Sequence, residues 1–334
     1  MDKITVLLTA PRSLREHILS AQALAKLEGL AHVIMNEDDR NWTGDEVAAR
    51  LPGVDVLLGS WGLPKLSAEV LARADRLRLI AYAAGSVKGF VTNEVFARGI
   101  AVTHAAFRIA DSVAEFTLLM AMMGLRQPHI FDRKMKAGEA WPASRGLPIF
   151  EIAGKQVGLL GMGYVGRRAA KLFQAVGAEV WAYDPYVSAE RAAELGVRLA
   201  TLDDLLSQCK VVSVHLPVTD ETHHLLGARE LALIQDEAIF INTARSWVVD
   251  QDAMVAELSK GRFWAALDVF DAEPLPADHP LRQLDNVFLT PHVAGLSRDA
   301  YYGLTASMID EIERFIKGEP LRYVVTQAML KTMA

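Results

Sequence analysis

The stretch VGLLGMGYVGRRAAKLFQAVGAEVWAYDPY, residues 157–186, decides how this chain folds. Val157–Leu160 is an apolar run of the kind found in strands covered on both faces. Gly161-x-Gly163-x-x-Gly166 follows directly, then a helical stretch, Arg167–Ala175, and a second strand, Glu179–Tyr183, that ends at Asp184. The three glycines do different physical work. Gly161 allows a tight turn, Gly163 lets backbone approach a pyrophosphate, and Gly166 permits close helix–strand packing. Phosphates would rest on backbone N–H groups at the helix N-terminus, where the helix dipole favours negative charge. Tyr164 and Val165 lie between the last two glycines and belong to the same expected contact set. A glycine triad alone is weak evidence, but here strand, turn, helix, strand and acid occur in order. Asp184 stands 23 residues past Gly161. Its carboxylate is placed to accept both ribose hydroxyls and to repel a 2′-phosphate, which favours NAD over NADP. Arg167 and Arg168 do not offset this, because they lie in the helix rather than after Asp184.

Outward from this unit, short apolar runs alternate with helical stretches along the whole chain, which argues for parallel sheets built from strand–helix–strand units. Strands are expected at Ile4–Leu8, His32–Met35, Val54–Leu58, Leu79–Ala83 and Ile100–Thr103. A second series is expected at Gln156–Leu160, Glu179–Tyr183, Val211–His215, Ala238–Asn242, Trp264–Val269 and Asn286–Thr290. Between the series lie a long helix, Asp111–Leu125, and an irregular polar stretch through Arg145. Ile130, Phe131 and Trp141 in that stretch suggest an arm packed on a partner subunit. A final helix starts at Ser297, repeats apolar residues at three- and four-residue spacing from Tyr301 to Phe315, and stops at Gly318.

At 334 residues the chain is long enough for about two domains. Hydrophobic residues at 51% and charged residues at 23% describe an ordinary globular protein. A net charge of −6 without a basic patch argues against nucleic acid as a partner. The single cysteine, Cys209, excludes an internal disulfide framework, and neither cysteines nor acids complete a metal site beside His223-His224. No apolar run approaches the roughly 18 residues of a membrane helix, and the N-terminus reads as a first strand, so a cytoplasmic protein without membrane contact is expected.

Three segments place polar groups just past buried strands. Arg245 follows Ala238–Asn242, Asp268 and Glu273 follow the run from Trp264, and His292 stands in LTPHVAG (289–295) beyond the last strand. In open α/β sheets the crevice outside the carboxyl ends of the strands is where ligands bind, so these groups face the same crevice as the dinucleotide.

Taken with VHLPVTDET (214–222), NTARSWVVD (242–250) and LDVFDAEPLP (267–276), the chain resembles the D-specific 2-hydroxyacid dehydrogenases over most of its length. The resemblance implies two Rossmann-like, doubly wound α/β domains with an active-site cleft between them. The discontinuous substrate domain would be 1–104 plus 296–334, and the NAD-binding domain 105–295. The arm and the Asp111–Leu125 helix imply a homodimer through the cofactor domains. The resemblance assigns catalysis to Arg245, Glu273 and His292: the arginine grips the substrate carboxylate, the histidine supplies a proton, and the glutamate orients that histidine. Free histidine titrates near roughly 6.5, which suits a proton donor at neutral pH. By the same resemblance Asp268 accepts from the nicotinamide carboxamide. Thr243 and Ala244 contact the cofactor through backbone, and His215, Pro217 and Thr222 line its pocket. His215 has a competing reading as an interior polar residue. The substrate would be a small 2-keto or 2-hydroxy acid whose carboxylate meets backbone N–H groups of Ser86 and Val87.

Departures from the family pattern fall around the substrate. Ser246-Trp247 follow Arg245 where glycine is common, Gly89 falls where an aspartate is usual, and His104 stands where asparagine is frequent. Two other readings of the same scaffold are an NAD-sensing corepressor-like module and a formate-type dehydrogenase. The Arg/Glu/His set argues against both, because formate oxidation passes no proton to substrate and usually pairs its histidine with glutamine.

Overall fold

The computed structural model describes residues 3–139 and 148–333, which divide into two compact units, Met1–Ile109 with Leu296–Ala334 and Ala110–Gly295. Part of the expected arm, including Trp141, lies outside the described residues.

The first unit is a five-stranded sheet of β1 (Ile4–Leu8), β2 (Ala31–Met35), β3 (Val56–Gly59), β4 (Leu79–Tyr82) and β5 (Ala101–His104), in the order β2-β1-β3-β4-β5. Every pairing is parallel. β3 and β4 are fully buried, which is why their sequences, VLLG and LIAY, carry no polar alternation. The helix Arg298–Lys317 covers one face, setting Leu304, Met308, Ile309 and Ile312 against Val6, Leu8, Val56 and Leu79. Its ends are those the sequence announces: Ser297 accepts the Ala300 N–H, and Gly318 closes the helix at φ 68°. Past it, the Val325 N–H donates to Val102 O at 2.8 Å and Thr103 pairs antiparallel with Val324.

The second unit is a seven-stranded parallel sheet of β6 (Gln156–Leu160), β7 (Glu179–Tyr183), β8 (Arg198–Leu199), β9 (Val211–Val214), β10 (Ile239–Asn242), β11 (Trp264–Leu267) and β12 (Val287–Leu289). The order is β12-β11-β10-β9-β6-β7-β8. Chain direction across the sheet reverses between β6 and β9, and a crevice opens at such a switch point. Both sheets are doubly wound and parallel, as the alternation of strands and helices requires. The two-residue β8 has no counterpart in the expected set, because RL is too short and exposed to show a pattern.

Two helical segments depart from expectation. The long helix runs Ala106–Arg126, a turn earlier than Asp111. The segment read as irregular contains a helix, Pro128–Lys136, with proline at its first turn and Arg133, Lys134 and Lys136 in its last. None of its residues is buried, so no apolar periodicity marks it in the sequence.

Candidate active site

At the carboxyl end of β6 the glycines behave as their spacing requires. Gly161 has φ 98°, and a Cβ on it would come within 2.8 Å of His215 O. A Cβ on Gly166 would stand 2.0 Å from Gly161 O, so only glycine lets the helix sit this close to the turn. Gly163 is different, because a Cβ there meets nothing within 4 Å. The open side of this loop is where a pyrophosphate would approach. The helix Tyr164–Ala175 begins at Gly163 with no side-chain capping hydrogen bond. Tyr164 and Val165 are therefore the first helical residues, three earlier than the expected start at Arg167.

Asp184 ends β7 and accepts from the Met162 N–H at 2.8 Å and the Tyr186 N–H at 2.9 Å, one bond on each oxygen. A carboxylate oxygen accepts two, so each keeps a lone pair for a ribose hydroxyl. His215 follows β9 and is half-buried. Its Nε2 lies 3.1 Å from Ser213 Oγ, while its Nδ1 is buried without a partner. Burial pushes the ring down to about 4, so it stays neutral. An unpartnered ring nitrogen beside the Gly161 turn fits a dinucleotide pocket better than a purely structural histidine, which would satisfy both nitrogens. Together the open Gly163 face, the uncapped helix end and this orphaned nitrogen fit NAD. Thr222 is spent on its own loop: its Oγ1 donates to Pro217 O at 2.6 Å and accepts the Thr219 N–H at 2.8 Å. It shapes the wall that Pro217 presents.

The segment after β10 is organised by Asn242, to which the sequence alone assigns no role. Its side chain accepts the Ala244 N–H at 3.1 Å and donates to Arg245 O at 2.9 Å, bracing the arginine from beneath. The only available clue is a buried amide at a strand end, a place where unpaired polar groups are costly. Thr243 is buried, with its hydroxyl 3.2 Å from that of Thr117. Burial pushes the Arg245 guanidinium down from its ordinary value and the nearby Glu273 charge pulls it back. A guanidinium starts far enough above neutral pH to remain a cation.

His292 Nδ1 lies 2.8 Å from Glu273 Oε2. Glu273 is itself aimed, because its Oε1 accepts the Phe270 N–H at 3.1 Å. Both side chains keep access to solvent, 49% for the histidine and 38% for the glutamate. His292 also has φ 54°, a left-handed backbone that a non-glycine residue holds only under constraint. Asp268 supplies the constraint. Fully buried at the end of β11, it accepts from Thr290 Oγ1 at 2.5 Å and from the N–H groups of Val293 and Ala294 at 2.8 and 2.9 Å. These three donors flank His292 on both sides. The imidazole is thus aimed by Asp268 and Glu273. Oδ2 of Asp268 takes only the Ala294 bond and keeps room for a further donor.

In the first unit, Ser86 is half-buried and the Val87 side chain fully buried, in the loop after β4. His223 and His224 form an exposed turn, their rings stacked at 4.1 Å. Among the described residues no group of three or more His, Cys, Asp or Glu is arranged to hold a metal ion, and no helix is long and apolar enough to cross a membrane.

Residues 118–294 match the family model for the D-isomer specific 2-hydroxyacid dehydrogenase, NAD binding domain. The chain belongs to the D-isomer specific 2-hydroxyacid dehydrogenases. Among relatives in this family, a glyoxylate reductase of Korarchaeum cryptofilum is 30% identical over 327 residues, covering 96% of this chain and 97% of that protein. A D-3-phosphoglycerate dehydrogenase of Archaeoglobus fulgidus is 37% identical over 262 residues, covering 78% of this chain but 49% of that protein. The chain therefore spans about half the length of that relative. The crystal structure of a phosphoglycerate oxidoreductase from Rhizobium etli superposes with a TM-score of 0.81 at 28% identity, covering 97% of this chain and 98% of that one. The NAD-binding unit of this dehydrogenase family thus carries the fingerprint glycines, Asp184, Arg245, Glu273 and His292 in one sheet's loops.

Proposed function

We propose that this protein interconverts a small 2-keto acid and the D-2-hydroxy acid, with His292 as proton donor in reduction and acceptor in oxidation. The observation that carries the proposal is the Glu273–His292 contact at 2.8 Å, on a histidine whose backbone is held in the left-handed region. NADH, when bound, supplies the hydride. A carboxylate on Nδ1 fixes that nitrogen as the protonated one and stabilises imidazolium, which leaves Nε2 to carry the transferable proton. Arg245 holds the substrate carboxylate through its planar fork and draws charge toward the carbonyl oxygen. Backbone N–H groups of Ser86 and Val87, in the first unit, are assigned to binding a substrate carboxylate. Gly161, Gly163, Tyr164, Val165 and Gly166 cradle the pyrophosphate. Asp184 holds the ribose and favours NAD over NADP. His215, Pro217, Thr222, Thr243 and Ala244 line the pocket, and Asp268 keeps one acceptor for the carboxamide while bracing the His292 loop. We place the substrate-binding role in the first unit, the cofactor in the second, and the protein in the cytoplasm as a homodimer.

Oxidation of NADH is followed on adding glyoxylate, hydroxypyruvate and pyruvate in turn, with wild type and His292→Gln. Wild type is expected to turn over at least one of the three. The variant is expected to lose about 10²-fold in kcat while still binding NADH. Near-normal turnover by the variant overturns the assignment of the proton to His292.

A further inference from the structure

His104 is the last residue of β5 and is buried, where a polar ring needs a reason to be. Its Nδ1 lies 3.0 Å from Gly85 O. A carbonyl oxygen only accepts, so Nδ1 carries the proton and the ring is in that tautomer. Burial holds the ring below the ordinary histidine range, consistent with a neutral donor. The next residue repeats the pattern: the Ala105 N–H donates to Ala84 O at 3.1 Å and to Tyr82 O at 3.1 Å. Two successive carbonyls of the loop after β4 are therefore tied to the end of β5.

The consequence follows from peptide geometry. The peptides after Ala84 and Gly85 are trans, and in a planar trans peptide the N–H points opposite the carbonyl. With the carbonyls of Ala84 and Gly85 drawn toward 104–105, the N–H groups of Gly85 and Ser86 face away from them. Among the described residues, the backbone N–H groups of Gly85, Ser86 and Val87 donate to no partner. Successive unpaired N–H groups facing one way form a cradle for an anion. Gly85 joins Ser86 and Val87 in that cradle, an addition the sequence did not suggest.

We infer that His104 is a positioning residue for substrate, fixing the Gly85–Ser86 peptide plane so that this loop presents its N–H groups to the substrate carboxylate. The inference rests on the proposed role of Ser86 and Val87. It also explains the departure at this position. The side-chain amide nitrogen of asparagine stands at the same distance along the side chain as Nδ1 of histidine, so either residue can donate to Gly85 O.

Three variants test it with glyoxylate as substrate, whose small size makes KM report mainly on carboxylate contacts. His104→Leu fills the buried space but has no donor; His104→Asn restores a donor at the Nδ1 position but leaves a gap. Leucine is expected to raise KM about tenfold, the scale of one misdirected hydrogen bond to a charged group, with NADH affinity unchanged. Asparagine is expected to bring KM back toward wild type even though its thermal midpoint falls below that of the leucine variant. A silent leucine variant, or an asparagine variant as impaired as leucine, overturns the inference and makes His104 a packing residue. Ser86→Pro, which removes one N–H, separates this failure from that of the loop itself. A raised KM in Ser86→Pro with a silent leucine variant leaves the carboxylate loop standing without His104. An unchanged KM in a folded Ser86→Pro variant refutes the loop's role, and the inference falls with it.

Discussion

At the scale of single residues, three side chains do different work with different physics. In the proposed role Arg245 offers shape as well as charge, its guanidinium forking onto the substrate carboxylate while Asn242 donates to its backbone carbonyl at 2.9 Å. Arg245→Lys keeps the charge and loses the fork, so KM for the keto acid should rise about tenfold or more while NADH binding stays near wild type. Steady-state kinetics with a separate NADH titration checks this, and a change confined to cofactor affinity would assign Arg245 elsewhere. Glu273 acts through its contact with His292. In the proposed role the imidazole gives a proton in reduction and takes one in oxidation, so the contact should matter in both directions. Glu273→Gln removes the carboxylate that holds Nδ1, so kcat should fall about tenfold or more in both directions while NADH binding stays near wild type. The check is kcat in both directions for wild type and Glu273→Gln, and an unchanged kcat would detach Glu273 from the histidine.

Elements matter here mainly through how close they approach one another. The helix Tyr164–Ala175 can start this close to the turn, with no side chain capping it, only because Gly166 lies against Gly161 O. The three glycines therefore divide into two kinds. Gly166→Ala puts a methyl 2.0 Å from a backbone oxygen and should destabilise the unit and impair cofactor binding together. Gly163→Ala meets no protein atom within 4 Å, so the fold should tolerate it. The methyl then occupies space reserved for phosphate, and NADH affinity should fall with little change in the thermal midpoint. Calorimetric unfolding and NADH fluorescence titration of both variants separate the two effects. Equal affinities for wild type and Gly163→Ala would mean the open face is not where the dinucleotide sits.

For the molecule as a whole, the buried histidines tie stability to pH. His215 is held at about 4 when folded, while an unfolded histidine takes its proton near roughly 6.5. Between these values the unfolded chain binds more protons, so stability is full above about 6.5 and is lost as pH falls toward 4. His104 shifts in the same direction. Urea unfolding at pH 7 and pH 5 should show wild type losing more stability on acidification than His215→Asn, and identical losses would remove His215 from the account. The same contrast between local and long-range causes separates what could be read in advance from what could not. Strands such as Ile4–Leu8, Gln156–Leu160 and Glu179–Tyr183 have the bounds expected of them, because their central residues are buried and apolar. The caps Ser297 and Gly318, the glycine fingerprint and Asp184 were legible for a related reason: each is a local backbone demand met by one residue type. The helix Pro128–Lys136 and the strand Arg198–Leu199 were not, since neither buries enough to leave a pattern. By itself the sequence determined the parallel architecture and pointed to the glycine loop and to Arg245, Glu273 and His292 as candidates. Tertiary structure alone decided what aims them. Asp268 reaches Val293 and Ala294 across more than twenty residues of chain, and His104 reaches Gly85 across 19. Hydrogen bonds of that span depend on which strand ends lie side by side, and sheet order is a property no local run of residues encodes.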